Sequence, residues 1–333
     1  MERNRSSQLG NIRALAIVLV VFGHSIILYS SSWGLYETAV SVPLLDLTKR
    51  IVDIPQMLLF FSLSGYLFAF THGKKRGILH LIKSKSRRLL VPYLGVGLCF
   101  LLPIRLAIGF PSYRGLDLGA LAEKFLTGGD VGHLWFLPGL FCTFLLCEGL
   151  LIMLERIPGL RRCPEVGLCV IALGLYLEGY RIGFGYGPLL NAYNYLIWFS
   201  IGYFLNIHRE LLRKVYAVPM VKWLLILLNA ALIVWHVSGQ PMRVLVSLTM
   251  QGLCVVNAFG AMPERSCGIL EKIDRNSFGI YLFHSPLIYL TFSVIPNAHP
   301  AIVVGLNFVV FGAVAYGLTE GLRRTKLKFL IGE

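Results

Sequence analysis

The sequence predicts an all-α integral membrane protein, a bundle of about ten transmembrane helices with both termini cytoplasmic. Three observations predict it. Of the 333 residues, 56% are hydrophobic and only 14% charged, far below the roughly 25% charged residues of a soluble domain. The mean hydropathy is +0.69, and apolar runs near the ~20 residues needed to cross a bilayer recur along the whole chain. The cations are also one-sided. With the amino terminus inside, only Lys49, Arg50, Arg105, Arg114, Lys124, Arg181 and Arg243 of the 31 Lys and Arg residues fall at or near the outer side, which is the positive-inside pattern. The net charge of +14 therefore marks topology. A nucleic-acid partner, which needs a continuous basic surface on a soluble fold, is excluded. The whole chain, 1–333, reads as a single transmembrane domain.

The predicted spans are 12–32, 54–72, 89–110, 134–154, 165–180, 192–208, 221–237, 244–262, 277–293 and 301–319. The first follows a basic start, Met1–Arg5, and no small-residue cleavage site interrupts it, so it is expected as an uncleaved helix and not a signal peptide. It carries Arg13 and His24. Eleven residues at 100° each make three turns plus about 20°, so the two share a face, about 16 Å apart along the axis. An arginine at the interface can clamp a phosphate or simply snorkel. A histidine deep in the bilayer can accept a proton, or sit bonded to a neighbouring carbonyl. In the second span, Ser64 and Gly65 within Phe60–Tyr66 suit close helix packing.

Residues 73–90 carry seven Lys and Arg residues and no acid. Ile78, Leu81, Ile82 and Leu89 lie at helical spacing opposite the lysines, which predicts a basic amphipathic helix on the cytoplasmic surface. It would contact anionic lipid or receive a phosphorylated ligand. An outer connection at 111–132 leads into His133 and Trp135; Trp135 fits an interfacial aromatic belt, and His133 could meet a polar acceptor entering from outside. Glu148 in the fourth span needs a protein or water partner. A cytoplasmic connection at 263–276 precedes a span holding His284 and Pro286. Proline leaves a carbonyl that needs a partner, so a structural bond competes with a catalytic role for His284. Cys99, Cys142, Cys147, Cys163, Cys169, Cys254 and Cys267 form no CxxC pair, and there is no HExxH, so no metal site is expected. The absence of a GxxxxGK[ST] loop weighs against an ATP-driven pump.

Taken together, NIRALAIVLVVFGHS at 11–25 with its Arg13-x10-His24 spacing, FFSLSGYLF at 60–68, RRLLVPY at 87–93, HLWFL at 133–137 and SFGIYLFHSPL at 277–287 resemble the acyltransferase 3 family of membrane-bound acyltransferases. The resemblance covers essentially the whole chain. One position departs from it: relatives often carry Asp three residues before the arginine, where this chain has Gly10. The resemblance implies transfer of an acyl group, commonly acetyl, from cytoplasmic acetyl-CoA to a hydroxyl of a cell-surface or lipid-linked polysaccharide, in the bacterial inner membrane. No cofactor would be permanently bound; acyl-CoA is a co-substrate, and membrane lipids are the other expected partners. His24 is then expected as catalytic base and Arg13 as essential. Arg13, Lys83, Arg87 and Arg88 would hold the donor phosphates, with the pantetheine arm reaching inward towards His24. Ser64, Tyr66, His133, Trp135 and His284 are the candidates for oxyanion or substrate contact. Direct transfer and an acyl-histidine intermediate both fit. The alternative is a transporter or flippase of a polar lipid-linked sugar, using the same polar groups as a path, although no repeated pair of broken helices supports it.

Overall fold

The protein is described by a computed structural model covering residues 2–31, 38, 40–72, 77–179 and 186–333. Among these residues every regular element is helical. The helices are α1 (Glu2–Ser25), α2 (Pro43–Ala69), α3 (Gly77–Ala107), α4 (Leu118–Thr127), α5 (Phe136–Arg156), α6 (Pro164–Gly179), α7 (Gly187–Ile207), α8 (Arg209–Ala217), α9 (Pro219–Val237), α10 (Val244–Ala261), α11 (Gly268–Val294) and α12 (Pro300–Arg323). Eight of them, α1, α2, α3, α5 and α9 to α12, are long and apolar enough to cross a membrane. That fits a multi-pass membrane protein. The predicted spans at 165–180 and 192–208 are helices too, α6 with 16 residues and α7 with 21. The polarity of α7 has an internal use: it is largely buried, and Asn206 Nδ2 donates to the Tyr66 carbonyl at 2.9 Å.

Several boundaries differ from the expectation, each for a local reason. α1 starts well before residue 12, because Gln8 Nε2 donates to the carbonyls of Phe259 (3.2 Å) and Met262 (3.0 Å), and Asn11 Nδ2 to those of Pro263 (2.9 Å) and Arg265 (2.8 Å). Polar residues so satisfied can remain helical at a bundle end. α2 starts at Pro43 because its charges pair at one-turn spacing, Arg50 with Asp46 and Lys49 with Asp53. The expected separate surface helix is instead continuous with the third span. Gly77–Ala107 is one helix containing wide π turns at Ser86–Leu90 and Gly97–Leu101. Each precedes a proline, Pro92 or Pro103, whose ring would otherwise strike the carbonyl four residues back. Lys74, Lys75 and Arg76 of the basic stretch, and Arg181, lie outside the described residues.

The centre of the bundle is the α2–α7 contact, where the two backbones nearly touch. A Cβ on Gly65 would collide with the Phe199 carbonyl, and one on Gly202 with the Ser62 carbonyl. Small residues make such an approach possible, and van der Waals contact is then the main gain between helices in lipid. α1 lies against α2, and α11 against α1 and α12, while α9 and α10 expose Trp223, Leu224, Leu227, Val234 and Leu245 outward, as lipid-facing helices do.

Gly65→Ala should therefore lower the melting stability of the detergent-purified protein by about 1–3 kcal/mol, the usual cost of overpacking. Gly174→Ala in α6, where a Cβ meets nothing within 4 Å, should be neutral or slightly stabilising. Equal effects in thermal denaturation would contradict the close α2–α7 seam.

Candidate active site

Two polar rungs join α1 to α11, which run in the same direction. At the first, Arg13 Nη1 donates to Asp274 Oδ1 at 2.6 Å. At the second, His24 Nδ1 lies 2.8 Å from His284 Nε2, with the two rings stacked at 5.0 Å between centroids. The sequence spacing makes both rungs possible: eleven residues on α1 and ten on α11 rise by about 16 and 15 Å. Asp274 also bears on Gly10. A Cβ there would sit 2.8 Å from Asp274 Oδ2, so the space beside Gly10 is filled by a carboxylate from α11. An acid therefore stands beside Gly10, on the neighbouring helix, and it is bonded to Arg13.

The second rung has a defined proton arrangement. His284 Nδ1 lies 3.0 Å from the Ile280 carbonyl and 2.9 Å from that of Tyr281. Carbonyl oxygens only accept, so Nδ1 carries the hydrogen and, in the neutral ring, Nε2 is the acceptor. His24 must then donate from Nδ1, and its Nε2 is left with a free lone pair. Pro286 places a third histidine here. Lacking an N–H, it frees the carbonyl of Leu282 four residues back, and His133 Nε2 donates to that oxygen at 3.1 Å. The Tyr281 hydroxyl in turn donates to the His133 carbonyl. One missing backbone hydrogen bond within α11 thus holds His133, two residues before Trp135.

Two cavities of different character flank this seam. On the face where α1 begins and the chain ends, a cavity of about 480 Å³ is lined by Arg13, Ser64, Lys85, Arg88, Asp274 and Arg275, with Phe60, Phe136 and Tyr281 deeper in. On the opposite face, a cavity of about 630 Å³ is lined by His24, His133 and Trp135 together with Lys49, Asp53, Gln56, Asn191, Asn194, Tyr195, Trp198 and Gln251. Tyr281 lines both. The first is rich in cations. The second joins aromatic faces and amides to imidazoles, among them the lone-pair nitrogen of His24.

The structure brings Arg13, Ser64 and Arg88 to one cavity and His24, His133 and Trp135 to the other. His284 is fully buried and lines neither; it backs His24. Tyr66 lies apart, stacked on Phe259 at 4.9 Å and lining a separate cavity of about 350 Å³ beside α8. Lys83 and Arg87 are exposed on α3 outside the basic cavity's lining. Glu148 is bonded to His72, whose Nδ1 lies 2.8 Å from Oε2. Sequence reasoning missed Lys85, Asp274 and Arg275 in the basic cavity, and Lys49, Asp53, Asn191 and Asn194 in the other. Some signals were available. Lys85 with Arg88 and Asn191 with Asn194 each share a helix face at three-residue spacing, and Asp274-x9-His284 mirrors Arg13-x10-His24.

A family model described as an acyltransferase domain, Acyl_transf_3, matches residues 7–319, and the chain belongs to that acyltransferase family. No curated protein and no solved structure matches it.

The Arg13–Asp274 pair is partly exposed, at 32% and 25% of the side chains, so it should add no more than about 1 kcal/mol to stability. Asp274→Ala should then leave the melting temperature nearly unchanged while reducing acyl transfer about tenfold or more, since an unpaired Arg13 is no longer held in place. A parallel loss of stability and activity would instead make Asp274 a folding residue.

Proposed function

We propose that the chain transfers an acyl group, acetyl by resemblance, from cytoplasmic acyl-CoA to a hydroxyl of a cell-surface or lipid-linked polysaccharide, with His24 as general base. The observation that carries this reading is the placement of His24's free Nε2 in one cavity and of a cation cluster in another, the two meeting at Tyr281. Family membership favours chemistry over simple transport. In this reading α6 and α7 also cross the bacterial inner membrane, giving ten crossings, and the basic face is cytoplasmic.

Arg13, Lys85, Arg88 and Arg275 are suited to the donor's phosphates through charge-assisted hydrogen bonds, while exposed Lys83 and Arg87 raise its local concentration. The pantetheine arm extends past Phe60, Phe136 and Tyr281 and carries the thioester to His24. The acceptor enters from the opposite side, where Trp135, Tyr195 and Trp198 offer flat apolar faces and Asn191, Asn194 and Gln251 offer donors and acceptors. That mixture suits a sugar ring, apolar on its faces and polar on its rim.

The acceptor hydroxyl attacks the thioester carbonyl as His24 Nε2 takes its proton. The carbonyl oxygen becomes an oxyanion that needs a donor. Of Ser64, Tyr66 and Trp135, only Trp135 shares the His24 cavity, and its indole N–H can only donate. Collapse of the intermediate breaks the C–S bond, and the proton on His24 passes to the departing thiolate. The C–O bond of the ester remains. His284 acts as a positioning residue: it accepts from Nδ1–H throughout and so keeps Nε2 as the reacting nitrogen.

Labelled acetyl-CoA given to membranes containing the wild-type protein should label the host's glycans. His24→Ala, expressed at the same level, should reduce this by at least about 10²-fold, the contribution of a general base. Arg13→Ala should mainly raise KM for the donor. A folded His24→Ala protein with full activity would refute the mechanism. His284→Ala should lower kcat and leave both KM values unchanged; a change confined to KM would move His284 into substrate binding.

A further inference from the structure

We propose that a small chamber beside His24 is a subsite for a carboxylate carried by one of the two substrates, with Arg105 as its anchor. The chamber measures about 190 Å³ and is lined by His24, Trp135, Arg105, Asp130, Ser285 and Phe292, among others. It is smaller than the ~300 Å³ at which whole-ligand pockets begin, so it fits a substituent. It adjoins the larger cavity, because His24, His133 and Trp135 line both.

Arg105 is 1% exposed, which is costly for a cation in an apolar bundle. Its guanidinium carbon lies 4.1 Å from the Phe110 ring centroid and 4.8 Å from that of Tyr113. Nη1 donates to the Asp130 carbonyl at 2.7 Å and lies 3.5 Å from Asp130 Oδ1. Lys124 Nζ lies 3.4 Å from the other oxygen of the same carboxylate. Two cations thus share one acid, and Arg105 Nε has no partner. The turn at Asp130 occupies only Nη1, which leaves donors of a buried cation in excess of what holding the turn requires. Asp130 is held at φ 56°, a conformation that a residue other than glycine seldom adopts, and this aims its carbonyl at Arg105. Arg105, with its surplus positive charge and idle donor, lines a chamber that His24 lines too. A guanidinium offers two parallel donors to a carboxylate, and with Asp130 as the one acid shared by Arg105 and Lys124, a second carboxylate is what would balance the chamber's charge.

The carboxylate has two sources: an acidic sugar in the acceptor, or the far end of a dicarboxylic acyl group on the donor. Assigning it to a substrate rests on the acyl-transfer reading above. The test reads binding to the detergent-purified full chain by thermal shift, with glucuronate against glucose in one arm and succinyl-CoA against acetyl-CoA in the other. In at least one arm the carboxylate-bearing compound should bind about tenfold or more tighter than its neutral counterpart, and Arg105→Gln should abolish the difference. Ser285→Asp keeps Arg105 and its contact with the turn but places a carboxylate inside the chamber, so it should abolish the difference even if Arg105→Gln does not fold. The proposal is overturned if neither arm discriminates in the wild type, or if the discrimination survives either substitution in a folded protein. A chain that discriminates through Arg105 yet transfers no acyl group keeps the subsite and loses the acyl-transfer reading. One that transfers without discriminating does the opposite.

Discussion

The contact on which the site depends is the hydrogen bond between His24 Nδ1 and His284 Nε2. An imidazole has two nitrogens and, when neutral, one hydrogen, so fixing one nitrogen decides what the other can do. Two backbone carbonyls of α11 fix the hydrogen of His284, and His284 then fixes that of His24. A helix backbone, the stiffest element available, is thereby made to decide which nitrogen of His24 faces the cavity. The same helix presents Asp274 to Arg13 one rung away. α1 and α11 cannot slide past one another without breaking both rungs, and the residues that the two helices contribute to the two cavities are held at a constant spacing.

Lipid imposes the rest of the arrangement. A polar group in the hydrocarbon region needs a partner inside the protein, and the partners found here recur as parts of the site. The carbonyl of Leu282, freed by Pro286, holds His133. The close α2–α7 seam brings Asn191 and Asn194 to the same cavity as His24. Tyr281 separates the two cavities and is tied by its hydroxyl to the His133 backbone.

Much of this was legible in the sequence. The apolar runs gave every spanning element, because hydrophobic length is the dominant signal in a bilayer protein. Arg13 and His24 stood out because ionisable groups at that depth are rare. The boundaries were less legible, since Gln8, Asn11, Lys49 and Asp53 look like loop residues until their partners are known. The basic stretch reads as a surface helix because Ile78, Leu81, Ile82 and Leu89 lie opposite its lysines, whereas wide π turns before Pro92 and Pro103 carry a single helix through it. The Gly10 departure could not be resolved locally, as the compensating Asp274 is 264 positions away in the chain. His284 reads from the sequence as a candidate substrate contact with a structural bond as its competitor, and the structure gives it bonds to His24 and to two carbonyls of its own helix. Whether two histidines share a cavity or a hydrogen bond depends on helix rotation, which spacing within each helix does not give.

His24 is held with its hydrogen on Nδ1 and its lone pair on Nε2. Nitrogen-15 NMR of histidine-labelled protein, with the His24 signals assigned by comparison with His24→Gln, measures this directly. The account predicts a protonated Nδ1 and an unprotonated Nε2 for His24 in the wild type, and loss of that preference in His284→Ala. A His24 ring with its hydrogen on Nε2 in the wild type would contradict it, because the nitrogen facing the cavity could then donate a proton but not accept one.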